Sequence, residues 1–120
     1  MNIRETRNTE TADPAVAYRE VTLHSLESSR EAWRTGSGPP PHPLELWFRY
    51  HCTVIDDFTQ AKMAQILGIT PAFMSQLVHG YRRHGPGAGR AFCEACNAVV
   101  ADHPLAIPMQ LGDVRPDIWH

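Results

Sequence analysis

Asp57-Phe58-Thr59-Gln60-Ala61-Lys62-Met63-Ala64-Gln65-Ile66-Leu67-Gly68-Ile69-Thr70-Pro71-Ala72-Phe73-Met74-Ser75-Gln76-Leu77-Val78-His79-Gly80 reads as two short helices joined by a tight turn. Thr59 stands where a side-chain oxygen can accept an orphan amide at a helix start. Met63, Ile66 and Leu67 follow at i, i+3 and i+4, which predicts one inward apolar stripe. Gly68 comes next, where a left-handed residue ends a helix and glycine adopts it without strain. Thr70-Pro71 restarts the chain with a hydroxyl cap and a proline at the first helical position, where its missing amide costs nothing. Met74, Leu77 and Val78 form the second inward stripe, and Gly80 ends the helix. Two helices this short, with so short a joint, are expected to cross steeply, as in a helix-turn-helix.

The second helix has an unusual outer face. Pro71, Ala72, Ser75, Gln76 and His79 fall on one side at helical spacing, and none is an acid, lysine or arginine. Such a face can enter a major groove without steric or electrostatic conflict, and glutamine can bond adenine N6 and N7 bidentately. An ordinary solvated face of a small helical hairpin is the alternative.

The motif Gln60-Ala61-x-Met63-Ala64-x-x-Leu67-Gly68-Ile69-Thr70, followed by Met74-Ser75-Gln76-Leu77-x-x-Gly80, resembles the Cro and lambda-repressor (XRE-type) helix-turn-helix. Ala64 matches the small residue where the two helices touch, and Gly68 matches the turn glycine. The resemblance implies that Gln60 meets the DNA backbone and that Gln76 reads a base. It extends base reading to Thr70, Pro71, Ala72, Ser75 and His79. The chain departs from the family at Lys62, where glutamate is common, and at Pro71, Ala72 and Phe73, where polar residues are usual. Lys62 forfeits a capping box but can face phosphate. The apolar trio is expected to meet thymine methyl groups.

The whole chain frames this motif. One hundred and twenty residues, 42% of them hydrophobic, suit one domain with an appendage. No apolar run of membrane-spanning length occurs, and the first residues lack the apolar core of a signal peptide, so a cytoplasmic protein is expected. Three cysteines point to reduced thiols and not to a disulfide framework. The net charge is −2, which by itself does not point to nucleic acid, but the charge is uneven. Residues 44–92 carry five Lys/Arg against three acids, whereas residues 93–120 carry one Arg against four. Between His79 and Phe92 stand three arginines and no acid. Positive charge therefore gathers on the motif and just after it, where phosphates would lie.

Residues 1–36 read as an N-terminal extension, with a polar arm over 1–13. The alternation from Ala15 to Leu26 fits a helix or a strand. Ser28 and Glu31 have capping-box spacing, which predicts a separate short helix to Arg34. The extension is a candidate for dimerisation or for docking a protein partner, with a loosely packed extension as the alternative. Gly36-Ser37-Gly38-Pro39-Pro40-Pro41-His42-Pro43 predicts a semi-rigid linker over 37–43, a hinge before a domain spanning 44–120.

That domain is expected to open with a helix from Leu44 to Ile55, burying Leu44, Trp47, Phe48, Cys52 and Ile55, with Phe58 stapled into the core. Tyr81 to Arg90 predicts a flexible Gly/Pro loop. In the family the corresponding segment follows the DNA backbone, so the resemblance assigns phosphate contacts to Arg82, Arg83 and Arg90, beside Gln60 and Lys62. The glycine spacing matches neither a Walker loop nor the dinucleotide fingerprint, so no nucleotide cofactor is expected.

Ala91 to Val100 predicts a further helix with Phe92, Ala95, Cys96, Val99 and Val100 inward. Cys93-Glu94-Ala95-Cys96 is a lone CxxC, and a structural zinc site needs four ligands. Packing is the favoured reading over zinc or thiol sensing with Cys52 or His103, and no metal is assigned. The tail's apolar residues predict that it folds back over the domain. Its ending, Val114-Arg115-Pro116-Asp117-Ile118-Trp119, is similar to that of small Cro-like phage and YdaS-type antitoxin regulators.

No nucleophile–base pair or paired carboxylate set has a recognisable spacing, so no catalysis is expected. The expectation is an all-α, lambda-repressor-like bundle of about five helices with an N-terminal extension, acting as a homodimeric repressor on double-stranded DNA. An antitoxin-like protein-interaction module is the rival.

Overall fold

The computed structural model of the chain describes residues 13–119. The polar arm expected over residues 1–13 lies outside them except for Asp13. The described residues are all-α: α1 (Pro14–Ala32), α2 (Pro43–Val54), α3 (Gln60–Leu67), α4 (Pro71–Val78), α5 (Pro86–Val100) and the single turn α6 (Leu111–Val114).

Local chemistry sets most of the helix starts. Asp13 accepts the Ala15 amide at 2.9 Å and Pro14 opens α1. The His42 imidazole accepts the Leu44 amide at 3.1 Å and Pro43 opens α2. The hydroxyls of Thr59 and Thr70 cap α3 and α4, accepting from Lys62 at 3.0 Å and Phe73 at 3.1 Å. Gly68 takes φ 72° between them. An extended cap followed by a proline with its fixed φ recurs at α1, α2, α4 and α5.

Several expectations are corrected. The segment after Asp13 is neither a strand nor two pieces, because α1 runs unbroken through Ser28–Glu31. What overrides the capping-box spacing is tertiary: the neighbouring Ser29 hydroxyl donates to the Pro41 carbonyl at 2.8 Å, and Leu26 is wholly buried in the common core. The proline-rich segment is tied down on one side by that bond and by Trp33 Nε1, which donates to the Pro39 carbonyl at 2.8 Å. On its other side His42 and Pro43 are buried.

Cys52 is exposed, and the inner face of α2 is completed instead by Tyr50 and His51, both wholly buried. Ile66 is 54% exposed because α3 buries Met63 and Ala64 with Leu67 beside them. That stripe is centred about a quarter-turn from Ile66 at 3.6 residues per turn. Val99 is exposed on α5. The expected loop to Arg90 ends at Gly85, since Pro86 starts α5. Glycine at position 89 admits close packing there: a Cβ on it would meet Val114 Cγ1 at 3.3 Å.

The core is one cluster, with Trp47, Tyr50, Met63, Met74 and Cys96 at its centre and Phe48, Phe58 and Phe92 around them. The tail does fold back, burying Ile107, Met109 and Val114. Much of its irregular backbone is satisfied by side chains, as a buried segment outside regular structure requires. Trp47 Nε1 donates to the Ile107 carbonyl at 2.8 Å and the Tyr50 hydroxyl to the Leu105 carbonyl at 2.7 Å. Asn97 takes the Met109 amide at 2.6 Å and gives to its carbonyl at 2.9 Å. Arg30 pairs with the fully buried Asp113 at 2.6 Å, joining α1 to α6.

Candidate functional site

Helix α4 is held from beneath by Met74, Leu77 and Val78, all buried, which fixes what its other side presents. Pro71, Ala72 and Phe73 are exposed there, and Ser75, Gln76 and His79 are half-buried. Thr70 is exposed, but its hydroxyl is engaged as the cap of its own helix. No acidic side chain stands on this face between residues 70 and 78.

Gln76 is not a free amide. Its Oε1 accepts from Arg82 Nε at 2.6 Å. Its main-chain carbonyl accepts from the amides of Tyr81 at 2.9 Å and Arg82 at 3.2 Å, so the chain curls back over the end of α4. The Arg82 guanidinium lies over the Phe73 ring, 5.2 Å from its centroid, a cation–π distance. His79 Nδ1 lies 3.0 Å from Glu45 Oε1, which ties the last turn to α2, and Arg49 holds the other oxygen of Glu45 at 2.7 Å.

The expected phosphate cations do not form one cluster. Lys62 is exposed near the start of α3, and Gln60 beside it is half-buried. Arg83 turns away from Arg82, donating to the Gly36 carbonyl at 2.9 Å and lying 3.4 Å from Asp117. Arg90, now inside α5, stands over the Trp119 ring at 5.2 Å.

The Arg115-x-Asp117 ending has a structural role that local spacing did not reveal. Arg115 forks onto Asp117 at 2.8 and 2.7 Å and donates to the His84 carbonyl at 2.6 Å, holding the segment that follows α4. That fork keeps the Asp117 carboxyl below the usual carboxylate range. Trp33 and His42 were also missed. Their rings pack edge to face and crowd Gly80, which takes φ 79° where a Cβ would meet them at 2.9 and 2.8 Å. The Arg115–Asp117 fork is local, but the contacts that give it and the Trp33–His42 pair their roles, to His84 and to Gly80, join residues more than 30 apart, so no short-range pattern announces them.

Cys93 and Cys96 lie in the core, and burial pushes both thiols up. Cys93 Sγ donates to the Met109 carbonyl at 3.2 Å. Among the described residues no three His, Cys, Asp or Glu side chains are grouped as a metal ion would need. Among the same residues no helix is long and apolar enough to cross a membrane.

No protein-family model, curated protein or solved structure matches the chain.

Proposed function

We propose that this protein is a sequence-specific regulator of transcription, built like the lambda-repressor class, that binds duplex DNA with α4 in the major groove. The carrying observation is the face of α4: rigidly backed, with no acid among residues 70–78, reachable from solvent and carrying a glutamine held in place. In this reading α3 and α4 are the helix-turn-helix. Pro71, Ala72, Ser75 and Gln76 meet base edges and thymine methyls, while Gln60 and Lys62 at the start of α3 fix the register on phosphates. A homodimer places two such helices about one helical turn apart on an inverted repeat. Excluding polymerase from a phage, plasmid or toxin-operon promoter then needs no catalytic group.

Gln76→Ala tests the reading. We expect the preference for an operator over random duplex to fall by about 1–3 kcal/mol. An unchanged preference removes Gln76 from base reading.

A second reading has an observation of its own. Ile66, Phe73 and Tyr81 are large exposed apolar side chains on or beside the same helical pair, at 54%, 36% and 82% exposure. They suit a protein partner, as in an antitoxin. Mobility of a random and a genomic duplex with the purified protein separates the two: retardation of neither favours the partner-binding reading.

A further inference from the structure

From the contacts of Arg82 we infer a specific base preference, resting on the reading of α4 as the DNA-reading helix: Arg82 and Gln76 act as one unit that reads guanine. An arginine just beyond a recognition helix would ordinarily be given to phosphate, where it carries no sequence information. Three contacts hold Arg82 elsewhere. Its Nε donates to Gln76 Oε1 at 2.6 Å, its amide donates to the Gln76 carbonyl at 3.2 Å, and its guanidinium rests over Phe73 at 5.2 Å. The side chain is thereby laid along the outer face of α4.

The pairing changes what Gln76 offers. A free glutamine presents one acceptor and one donor edge, which matches adenine N6–H and N7. Here Arg82 occupies one lone pair of Oε1, while the Nε2 hydrogens and the Nη hydrogens of Arg82 stay available. The outward edge of the pair is therefore dominated by donors. Guanine presents two acceptors in the major groove, N7 and O6. Adenine and cytosine each place a donor there, and thymine offers one acceptor beside a methyl group. A double acceptor is the best match to this pair.

Phe73 and the main-chain curl are what make the unit rigid. Lysine at position 82 cannot reproduce it, because an ammonium lacks both the planar stack and the directed Nε–H.

The test replaces each base pair of a selected operator in turn and measures binding of wild type, Arg82→Ala, Arg82→Lys, Gln76→Ala and the double alanine variant. Wild type should show one position where changing guanine to adenine lowers affinity about tenfold or more. At that position each single alanine variant should lose the preference, the double variant should lose no more than either, and Arg82→Lys should not restore it. Arg82 is exposed, and thermal melting checks that the variants stay folded. Uniform weakening on every duplex by Arg82→Ala, with a flatter salt dependence, would return Arg82 to the phosphates and overturn the inference. A preference for adenine at the position that Gln76 controls also overturns it. Wild type that prefers no duplex at all removes the DNA-reading function and this inference together, whereas a preference that survives Arg82→Ala removes the inference alone.

Discussion

Gly68 and Gly80 follow successive helices with φ of 72° and 79°, yet their surroundings differ. Nothing lies within 4 Å of a Cβ built on Gly68, so alanine there meets only backbone strain, about 1 kcal/mol. At Gly80 a Cβ would sit 2.8 Å from His42 Cδ2 and 2.9 Å from Trp33 Cη2. Strain and overpacking then add, to about 3 kcal/mol. Urea unfolding of the two alanine variants should show Gly80→Ala as clearly the less stable; equal midpoints would mean that the Trp33–His42 pair gives way easily. Gly68 was legible from its place after an apolar stripe. Gly80 was legible only as a helix end, because the rings that crowd it come from a distant part of the chain.

At the scale of elements, the caps were readable and the tertiary overrides were not. Thr59, Gly68, Thr70 and Pro71 act within four residues of themselves, and the structure has each in its expected place. The start of α5 is hard to read because Gly87 and Gly89 are poor helix formers. Packing against Val114 and Trp119 of the tail explains Gly89, whereas a Cβ on Gly87 would meet nothing within 4 Å. In α1, Ser28 and Glu31 mimic a helix start inside a helix held together by distant partners. Leu26 is 0% exposed in the middle of that helix, so α1 belongs to the same core as α3 and α4. Leu26→Ala should cost about 2–5 kcal/mol and move the single unfolding transition as a whole. A separate, early transition of the extension would contradict this integration. The outward face of α4 was legible as a list of residues, but the Arg82–Gln76 bond was not, since it needs the turn at Gly80 to bring residue 82 back.

Across the molecule, three buried imidazoles set the response to acid. His42, His51 and His84 are all lowered to about 4 from an ordinary value of 6.5, each mainly by burial. His51 shows why protonation is resisted: Nδ1–H donates to the Trp47 carbonyl at 2.8 Å, so Nε2 must stay unprotonated to accept the Ile107 amide at 3.0 Å. His84 Nε2 is buried with no protein partner, and the Arg115 charge lowers its pKa further.

Because these pKa values are depressed on folding, the unfolded chain binds more protons between about pH 6.5 and 4. The stability they allow is complete above 6.5 and is lost as pH falls through the folded values near 4. Each site can remove about 3 kcal/mol, so together they rival the whole stability of an ordinary domain. Urea unfolding followed by circular dichroism should therefore show stability falling steadily from pH 6.5 to 4, with uptake of more than one proton on unfolding. A urea midpoint unchanged across that range would contradict the neutral assignments.

The most direct test of a DNA-reading α4 is selection of bound duplexes from a randomised library by the purified protein at a stated salt concentration. We expect enrichment of an inverted repeat whose half-site centres lie about one helical turn, 10–10.5 base pairs, apart. A library that emerges with its starting composition would contradict the proposed function.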